Sequence, residues 1–559
     1  MPQATLSAAR LFDRLGRNLT AAALEELLFC SKAELAEFTG DELKIEATAD
    51  RIDLLSETGL AEHLAGRLGL RHGRPAMTVG SRLPEMTIEV DPSVRPLRPA
   101  IAGVLVEAPD AGGLTAEFLE EAVHFQELLH ATVGRGRRLA SLGLYPLSKF
   151  EPPVRYALEP LAGIRFRPLD ADVETDGTTF FGGHPMAAKY GDFGRVGDRA
   201  LTLKDRTGRI LSLPPVLNAR PAGEARPGDT QLLLESTGTL LGRVEDALGL
   251  LLHLFVARGW GVRGVRVADP GGPGEGRTLL DPRPVRLTEP TLKAVLGETL
   301  PAAEVAHDLA VARLSAHSVA GGWEVDVPPW RPDLLAEVDL AEDVALARGL
   351  TTETAVVPPT LTRGRRRDES RFRGKVASVL LGLGFTPLFT PVMVGESVVD
   401  RLGRTDAVAV ANPVSELYSH LRDRILVSLA TSLERNVRHG YPQRLSEVGP
   451  VIVRDPSAEA GALTRYHAGA VLATDRAGFA DGAALVDYLL GALGTVGVRE
   501  PVELPGTIPG RAARVRLAGE TVAEVAEIHP RVLVSMGVPV PVVWAELDLS
   551  TLYPLLGAP

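Results

Sequence analysis

Cysteine is almost missing from this chain. One thiol, Cys30, in 559 residues cannot close an intrachain disulfide, which excludes a disulfide-stapled scaffold and fits a reducing compartment. Set among Leu27, Leu28 and Phe29, it reads as a buried thiol and not as a nucleophile. Long apolar runs are missing too. The longest, near Leu248 to Ala257, contains His253 and is too short to span a bilayer, and the N-terminus has no signal-peptide core. A cytoplasmic protein without membrane contact is therefore expected. An excess of positive charge is also lacking: a net charge of −11 excludes broad, nonspecific coating of nucleic acid but leaves room for a local basic groove. The Gly/Pro stretch Asp269–Thr278 lacks the G-K-[ST] of a phosphate loop, and no metalloprotease helix occurs. No internal repeat or low-complexity tract stands out.

What is present describes an ordinary globular protein. The 45% apolar and 23% charged residues can build ample core, and the length suggests three or four domains. Ser7–Leu15 and Thr20–Phe29 have amphipathic helical patterns. Leu43, Ile45 and Ala47 alternate with Lys44 and Glu46, as in a strand with one inward face. A helix start capped by Asp53 or Ser56 follows. Further on, His124 and His130 lie six apart, a poor spacing for two ligands on one helix face. Arg135, Arg137 and Arg138 can meet RNA phosphates or lie in solvent. The densest basic run holds Arg363, Arg365, Arg366, Arg367, Arg371 and Arg373; it marks a boundary and reads as a solvated helix entrance or an RNA or subunit contact.

The most informative stretch is WRPDLLAEVDLAEDVALARGL, Trp330 to Leu350. Pro332 makes Arg331 extended, Asp333 is a good N-cap for a helix from Leu334, and Gly349 supplies its stop. Leu334, Val338, Ala341 and Ala345 form an apolar face. Off that face, Asp339, Glu342 and Asp343 crowd together, joined by Asp333 at the helix entrance. Like charges at these spacings repel, so the cluster is either a solvated acidic face or the oxygen ligands of a hard cation such as Mg2+.

The same run, with its VPP flank, resembles the metal-binding B5 domain of the phenylalanyl-tRNA synthetase beta subunit. That resemblance implies Mg2+ ligation by Asp333, Asp339, Glu342 and Asp343. It extends along nearly the whole chain in its archaeal and eukaryotic form. ATADRIDLLS is similar to the family's strand-to-helix signature, with Asp50, Arg51 and Asp53 present and Ile52 where proline is usual. HFQELLHATVGRGRRLASLGLYPLSK resembles the B3/B4 editing module, with Pro146 where relatives often carry an acid. Asn412-Pro413, Leu421-Arg422, Asn436 and Glu447-Val448-Gly449 resemble an inactive class II synthetase core, as do IPGRAARV and AEIHPRVL, where Ala526 replaces a commoner glycine.

The fold class implied is α+β and multidomain. Residues 1–90 are expected to form an N-terminal α/β domain, 95–268 an editing-type α/β module, and 275–350 a small winged-helix-like metal-binding domain. Residues 365–559 would be a class II synthetase-like antiparallel sheet with helices. No Gly-rich segment of the activating type is present. The resemblance therefore implies a non-activating beta subunit of phenylalanine–tRNA ligase in an alpha2beta2 heterotetramer, with ATP and phenylalanine bound by the alpha subunit and tRNA(Phe) as partner. It further implies editing of tyrosyl-tRNA(Phe) in a pocket at Leu203, Ser212, Glu235 and Thr237, where Glu235 stands in place of the usual aspartate. Strand-end capping by Ser212 and Thr237 is the plainer alternative. A paralogous RNA-binding protein without an alpha partner, or a free-standing hydrolase of mischarged tRNA, are the competing functions.

Overall fold

A computed structural model describes residues 1–280, 283–349, 357 and 362–557. It is a mixed α+β multidomain chain of two compact units, Met1–Val356 and Val357–Pro559. The predicted boundary at residues 356–375 coincides with this division and lies partly outside the described residues.

The first unit opens with strand Gln3–Ser7, helices Ala8–Leu15 and Ala21–Phe29, a hairpin Ala33–Thr39 and Glu42–Ala47, and helix Glu57–Arg67. Local chemistry fixes these limits. Ser7, Thr20 and Ser56 each cap the helix that follows by accepting an amide hydrogen three residues on. Leu43, Ile45 and Ala47 are wholly buried, as their alternation requires. Cys30 is buried as well.

A second module fills the middle of this unit. Four antiparallel strands run in the order Gly261–Gly264, Ala100–Glu107, Gln231–Gly238, Ala140–Pro146. Helices Ala116–Ala131 and Leu241–Val256 cover one face. The other face packs on a second sheet containing Thr87–Val90, Val154–Pro160, Arg199–Lys204 and Ile210–Leu213. Ile101, Leu105 and Leu233 of the first sheet meet Ile88, Leu203 and Leu211 of the second. Strand Thr87–Val90, at the end of the expected N-terminal domain, pairs in parallel with Val154–Pro160 and Arg266–Ala268 and so is part of this middle module.

The unit closes with strand Arg283–Thr288, helices Glu289–Leu296 and Ala302–Val311, a hairpin Ser315–Val319 and Gly322–Val327, and helix Glu337–Arg348. This is the β-α-α-β-β-α order of residues 3–67, and in both sheets the strands lie first–third–second. The chain therefore does contain an internal repeat. Its strongest sequence trace is R-x-D-L-L-x-E-x-x-L-A-E-x-x-A-x-x-x-G-L, shared by residues 51–70 and 331–350. Each copy folds its Arg back onto its Asp. Arg51 Nε and Nη2 donate to Asp53 at 2.9 and 2.8 Å, and Arg331 Nε and Nη2 donate to Asp333 at 2.9 and 2.8 Å.

That fold-back corrects the expected helix. Asp333 is held by Arg331 and does not cap; the helix starts at Glu337, and Asp339 reaches back to the amides of Leu335 and Ala336, 2.8 Å each. The buried face is accordingly Leu340, Ala341 and Val344, while Val338 is 52% exposed.

In the second unit, seven strands form one sheet, antiparallel except for its first pair: Thr386–Pro387, Gln443–Arg454, Ala462–Ala473, Val542–Asp548, Glu520–Ile528, Thr507–Leu517 and Val498–Pro501. Helix Ile425–Arg435 packs on one face. Helices Asp368–Gly382, Phe479–Ala492 and Leu549–Leu555 pack on the other. Among the described residues no helix is long and apolar enough to cross a membrane.

Candidate functional site

The two sheets of the middle module part at one end around a cavity of about 240 Å³. It is lined by Gln126, Glu127 and His130 of helix Ala116–Ala131, by Tyr145 and Glu235 of the first sheet, and by Ser212 with the Leu213–Asn218 turn of the second. Of the four residues expected to form a pocket, Ser212 and Glu235 are brought together here. Leu203 and Thr237 are not in the lining. Leu203, the cross-strand partner of Ser212, is fully buried in the core between the sheets. Thr237 Oγ1 accepts from Arg98 Nε at 3.1 Å and lies 3.1 Å from Ser141 Oγ.

Glu235 is the unusual group. It is 2% exposed; the Tyr145 hydroxyl lies 3.1 Å from Oε2 and 2.9 Å from Ser212 Oγ, and the Thr237 hydroxyl also favours the ionised carboxyl. Oε1 is buried without a partner. Burial pushes the carboxyl up to about 7, against the pull of Tyr145 and of the Arg98 guanidinium. Burial also drives the Tyr145 phenol well above its ordinary range, so it stays a neutral donor. Arg98 is itself buried, held by Thr237, Ser141 and the Arg137 carbonyl; loss of solvent lowers it to about 10.

The remaining polar groups of the lining are structural. His130 Nε2 accepts the Leu142 amide hydrogen at 2.8 Å, and its Nδ1 faces Glu127 at 3.1 Å. That arrangement fixes a neutral ring, and burial lowers its pKa accordingly. Arg137 points inward rather than toward solvent, donating to the Pro215 and Val216 carbonyls and pairing with Glu127 at 2.7 Å. Sequence reading missed both Tyr145 and Arg98. The spacing G-x-Y, which puts Gly143 and Tyr145 on one face of a strand, was the available signal.

The four acids near the end of this unit do not converge. Arg331 is 4% exposed and donates through Nη2 to Asp333 and to Asp343, 2.8 Å each. Burial works to raise the Asp333 carboxyl, but Arg331 and the more distant Arg51 hold it below its ordinary value. Asp343 is raised by burial, and Asp333 adds to the rise. Asp339 is spent on its own helix start, and Glu342 pairs with Lys32 at 2.6 Å. Among the described residues no group of three or more His, Cys, Asp or Glu is placed to hold a metal ion. The four expected Mg2+ ligands are thus not drawn together here: Arg331 lies between Asp333 and Asp343, and the carboxylates as arranged do not fit a cation.

In the second unit the charges on the sheet face under helix Ile425–Arg435 are also committed. Arg422 Nη2 donates to Glu447 at 2.8 Å and its Nη1 to Thr390 and Ser428. Glu546 accepts the amides of Ile425 and Leu426 at 2.9 and 3.0 Å and faces His467 Nδ1 at 2.7 Å. Arg424 pairs with Glu524.

Comparison with known proteins places this architecture among aminoacyl-tRNA synthetase subunits. A family model described as the phenylalanyl tRNA synthetase beta chain CLM domain matches residues 354–549, and one described as the tRNA synthetase B5 domain matches residues 285–350. The phenylalanine–tRNA ligase beta subunit of Korarchaeum cryptofilum is 30% identical over 98% of this chain and 99% of its own length. That of Methanothrix thermoacetophila is 33% identical over 91% of this chain and 93% of its own. The chain belongs to the phenylalanine–tRNA ligase beta-subunit family, in which Mg2+ is the typical metal. An N-terminal fragment of the beta subunit from Pyrococcus horikoshii shares the fold, with a TM-score of 0.57 and 24% identity over 62% of this chain and all of the fragment.

Proposed function

We propose that this chain is the non-activating beta subunit of phenylalanine–tRNA ligase, acting in the cytoplasm in an alpha2beta2 heterotetramer. ATP and phenylalanine are bound by the alpha subunit, and tRNA(Phe) by the assembly. Residues 365–559, within the second unit, are a class II-like sheet turned to scaffolding. Its arginines and acids at Arg422, Arg424, Glu447 and Glu546 are spent on one another and on a helix N-terminus, and so are not free for a nucleotide. For residues 275–350 the helices and hairpin support a winged-helix-like reading, and Arg331 ties Asp333 to Asp343 there.

The middle module, residues 95–268, is proposed to hydrolyse tyrosyl-tRNA(Phe). One observation carries this reading: Glu235, a buried carboxyl whose Oε1 has no hydrogen-bond partner, is a lining residue of a cavity smaller than the roughly 300–1,000 Å³ of drug-sized sites. Tyrosine differs from phenylalanine by one hydroxyl, and an apolar pocket rejects an added hydroxyl only by about 100-fold. A buried acceptor works in the other direction. The tyrosyl hydroxyl donates to Glu235 Oε1, whereas a phenylalanyl ring leaves that oxygen desolvated and bare, at a cost of about 1–3 kcal/mol. With the ring so placed, water adds to the ester carbonyl. The tetrahedral intermediate collapses by breaking the bond to the ribose oxygen, which leaves with a proton and frees tyrosine and tRNA. The chain's part is selection and orientation.

Deacylation by the assembled enzyme tests this, wild type against Glu235→Ala. Hydrolysis of tyrosyl-tRNA(Phe) that falls about 10- to 100-fold in the variant is expected. Equal rates would remove Glu235 from the reaction, and a wild type that does not hydrolyse would overturn the reading.

A further inference from the structure

Position 143 of strand Ala140–Pro146 lacks a side chain for a reason found two residues on. A Cβ built on Gly143 would lie 2.2 Å from the Tyr145 hydroxyl and 2.5 Å from its Cζ. Residues two apart on a strand share a face, so the tyrosine ring lies back over the glycine. From there it reaches Glu235, which the ladder sets directly opposite Gly143.

The phenolic oxygen is within 3.1 Å of Glu235 Oε2 and 2.9 Å of Ser212 Oγ. A phenol has one proton. As placed, the phenol is the donor to both oxygens. Its single proton goes to the carboxylate, the stronger acceptor, with Ser212 Oγ as the competing acceptor. Tyr145 thus stands between Ser212 on one sheet and Glu235 on the other, and it reaches one carboxylate oxygen only. The other, Oε1, is buried without a partner on a residue that lines the cavity.

We infer that Tyr145 is a positioning residue for phenol recognition: it pins one oxygen of Glu235 and so leaves the other as the acceptor for a para-hydroxyl on the ligand. The ligand class is a tyrosyl group, and the inference rests on the hydrolytic reading of the cavity. It assigns two residues differently from a simple lining. Ser212 acts on Tyr145 and not on the ligand, and two phenols, one from the protein and one from the substrate, share one carboxylate.

The pin answers a problem set by the side chain itself. Glutamate has one more rotatable bond than aspartate, and its carboxylate would otherwise swing among several positions at an entropic cost to each binding event. A fixed hydrogen bond at Oε2 removes that freedom in advance. Few other charges act on the group. Tyr145 and Tyr156 face it from the two sheets, and Arg98 acts across Thr237. Glu127, His130 and Arg137 share the lining but hold one another.

The test uses the full chain with L-tyrosine and L-phenylalanine as calorimetric probes, in wild type, Tyr145→Phe and Ser212→Ala. Wild type is expected to prefer tyrosine. Tyr145→Phe should lower that preference about tenfold with phenylalanine binding unchanged, and Ser212→Ala, which removes the competing acceptor, should raise it. The pH at which the preference appears should also rise in Tyr145→Phe, because the lost hydroxyl donates to the ionised carboxylate. Ser212→Ala removes only a hydroxyl and reads the same Tyr145–Glu235 contact, in the opposite direction, should the tyrosine variant not fold.

An unchanged preference and pH midpoint in both variants would overturn the inference. So would a sharper preference in Tyr145→Phe, which would make Tyr145 a competitor for the carboxylate, and so would a wild type indifferent to the hydroxyl. Tyrosyl-tRNA(Phe) deacylation by the assembled enzyme is measured alongside. Its absence in wild type would remove the hydrolytic reading, while the binding arm decides the role of Tyr145 by itself.

Discussion

Glu235→Gln separates what the carboxylate does from what it costs. Its carboxyl is pushed by burial from 4.5 to about 7. Between those values the folded chain holds a proton that the unfolded chain has lost, so stability falls as pH rises through this window and the full cost is reached above it. At about 1.4 kcal/mol per pH unit, keeping the ionised group in place costs roughly 3 kcal/mol. Glutamine has the same shape and no such slope. It still accepts from Tyr145, but a neutral acceptor returns only about half of the charge-assisted bond, which leaves a net gain of roughly 1–2 kcal/mol at pH 8. A chain of several modules has no single melting free energy, so the assay is amide exchange in strand Gln231–Gly238, which is paired on both sides. The opening free energy should match wild type near pH 5 and exceed it at pH 8, while tyrosyl deacylation is lost. A difference between the two proteins that does not change with pH would refute the argument.

Arg331→Met should cost about 3–5 kcal/mol in urea unfolding of the first unit, because Asp333 and Asp343 are then buried without a partner; a loss under 1 kcal/mol would mean that water reaches them. Chelation of divalent metal should leave the melting of the purified chain unchanged, since Arg331 already neutralises both acids; a fall in melting temperature on adding EDTA would show that a cation displaces it. Gly143→Ala should move the Tyr145 ring, destabilise by about 1–3 kcal/mol and abolish any preference for tyrosine; binding like that of wild type would count against the placement of the ring. Purified without its alpha partner, the chain should give no phenylalanine-dependent pyrophosphate exchange, and robust exchange would contradict the scaffolding role of the second unit.

Much of the local structure was legible because it is set by local chemistry. Ser7, Thr20 and Ser56 announce their helices, and Leu43, Ile45 and Ala47 announce a strand face. Ser212 and Glu235 could be paired by resemblance, and they share the cavity. The acid cluster is arranged otherwise than its spacing suggests, for a physical reason. Arg331 was read only for its backbone before Pro332, whereas its side chain curls over two residues to take Asp333 and then crosses to Asp343. Carboxylate spacing along a helix says nothing about a cation supplied by the preceding turn. The repeat went unseen because only its last segment keeps identities, while the sheet order that proves it is a property of three dimensions. Tyr145 was passed over as an ordinary strand aromatic, since its partner Glu235 lies ninety residues away and only the ladder brings them together.

The two β-α-α-β-β-α copies lie at opposite ends of the first unit's sequence, yet they are stitched together. Arg67 Nη1 donates to the Leu346 carbonyl at 2.6 Å, and Arg313 pairs with Glu62 at 2.5 Å. The chain leaves the first copy at the very place where the second one lies: the Gly73 amide bonds to Ala310, and the Arg74 amide to Ser315 Oγ, 241 residues away. The pocket module is therefore a cassette whose two ends are clasped by the same composite domain. Closing such a loop costs only about 0.6 kcal/mol more for each doubling of its length. A cassette of quite different size could be exchanged at this clasp with little change in the frame that holds it, so the pocket module is free to be lost, lengthened or replaced while the frame keeps its own fold.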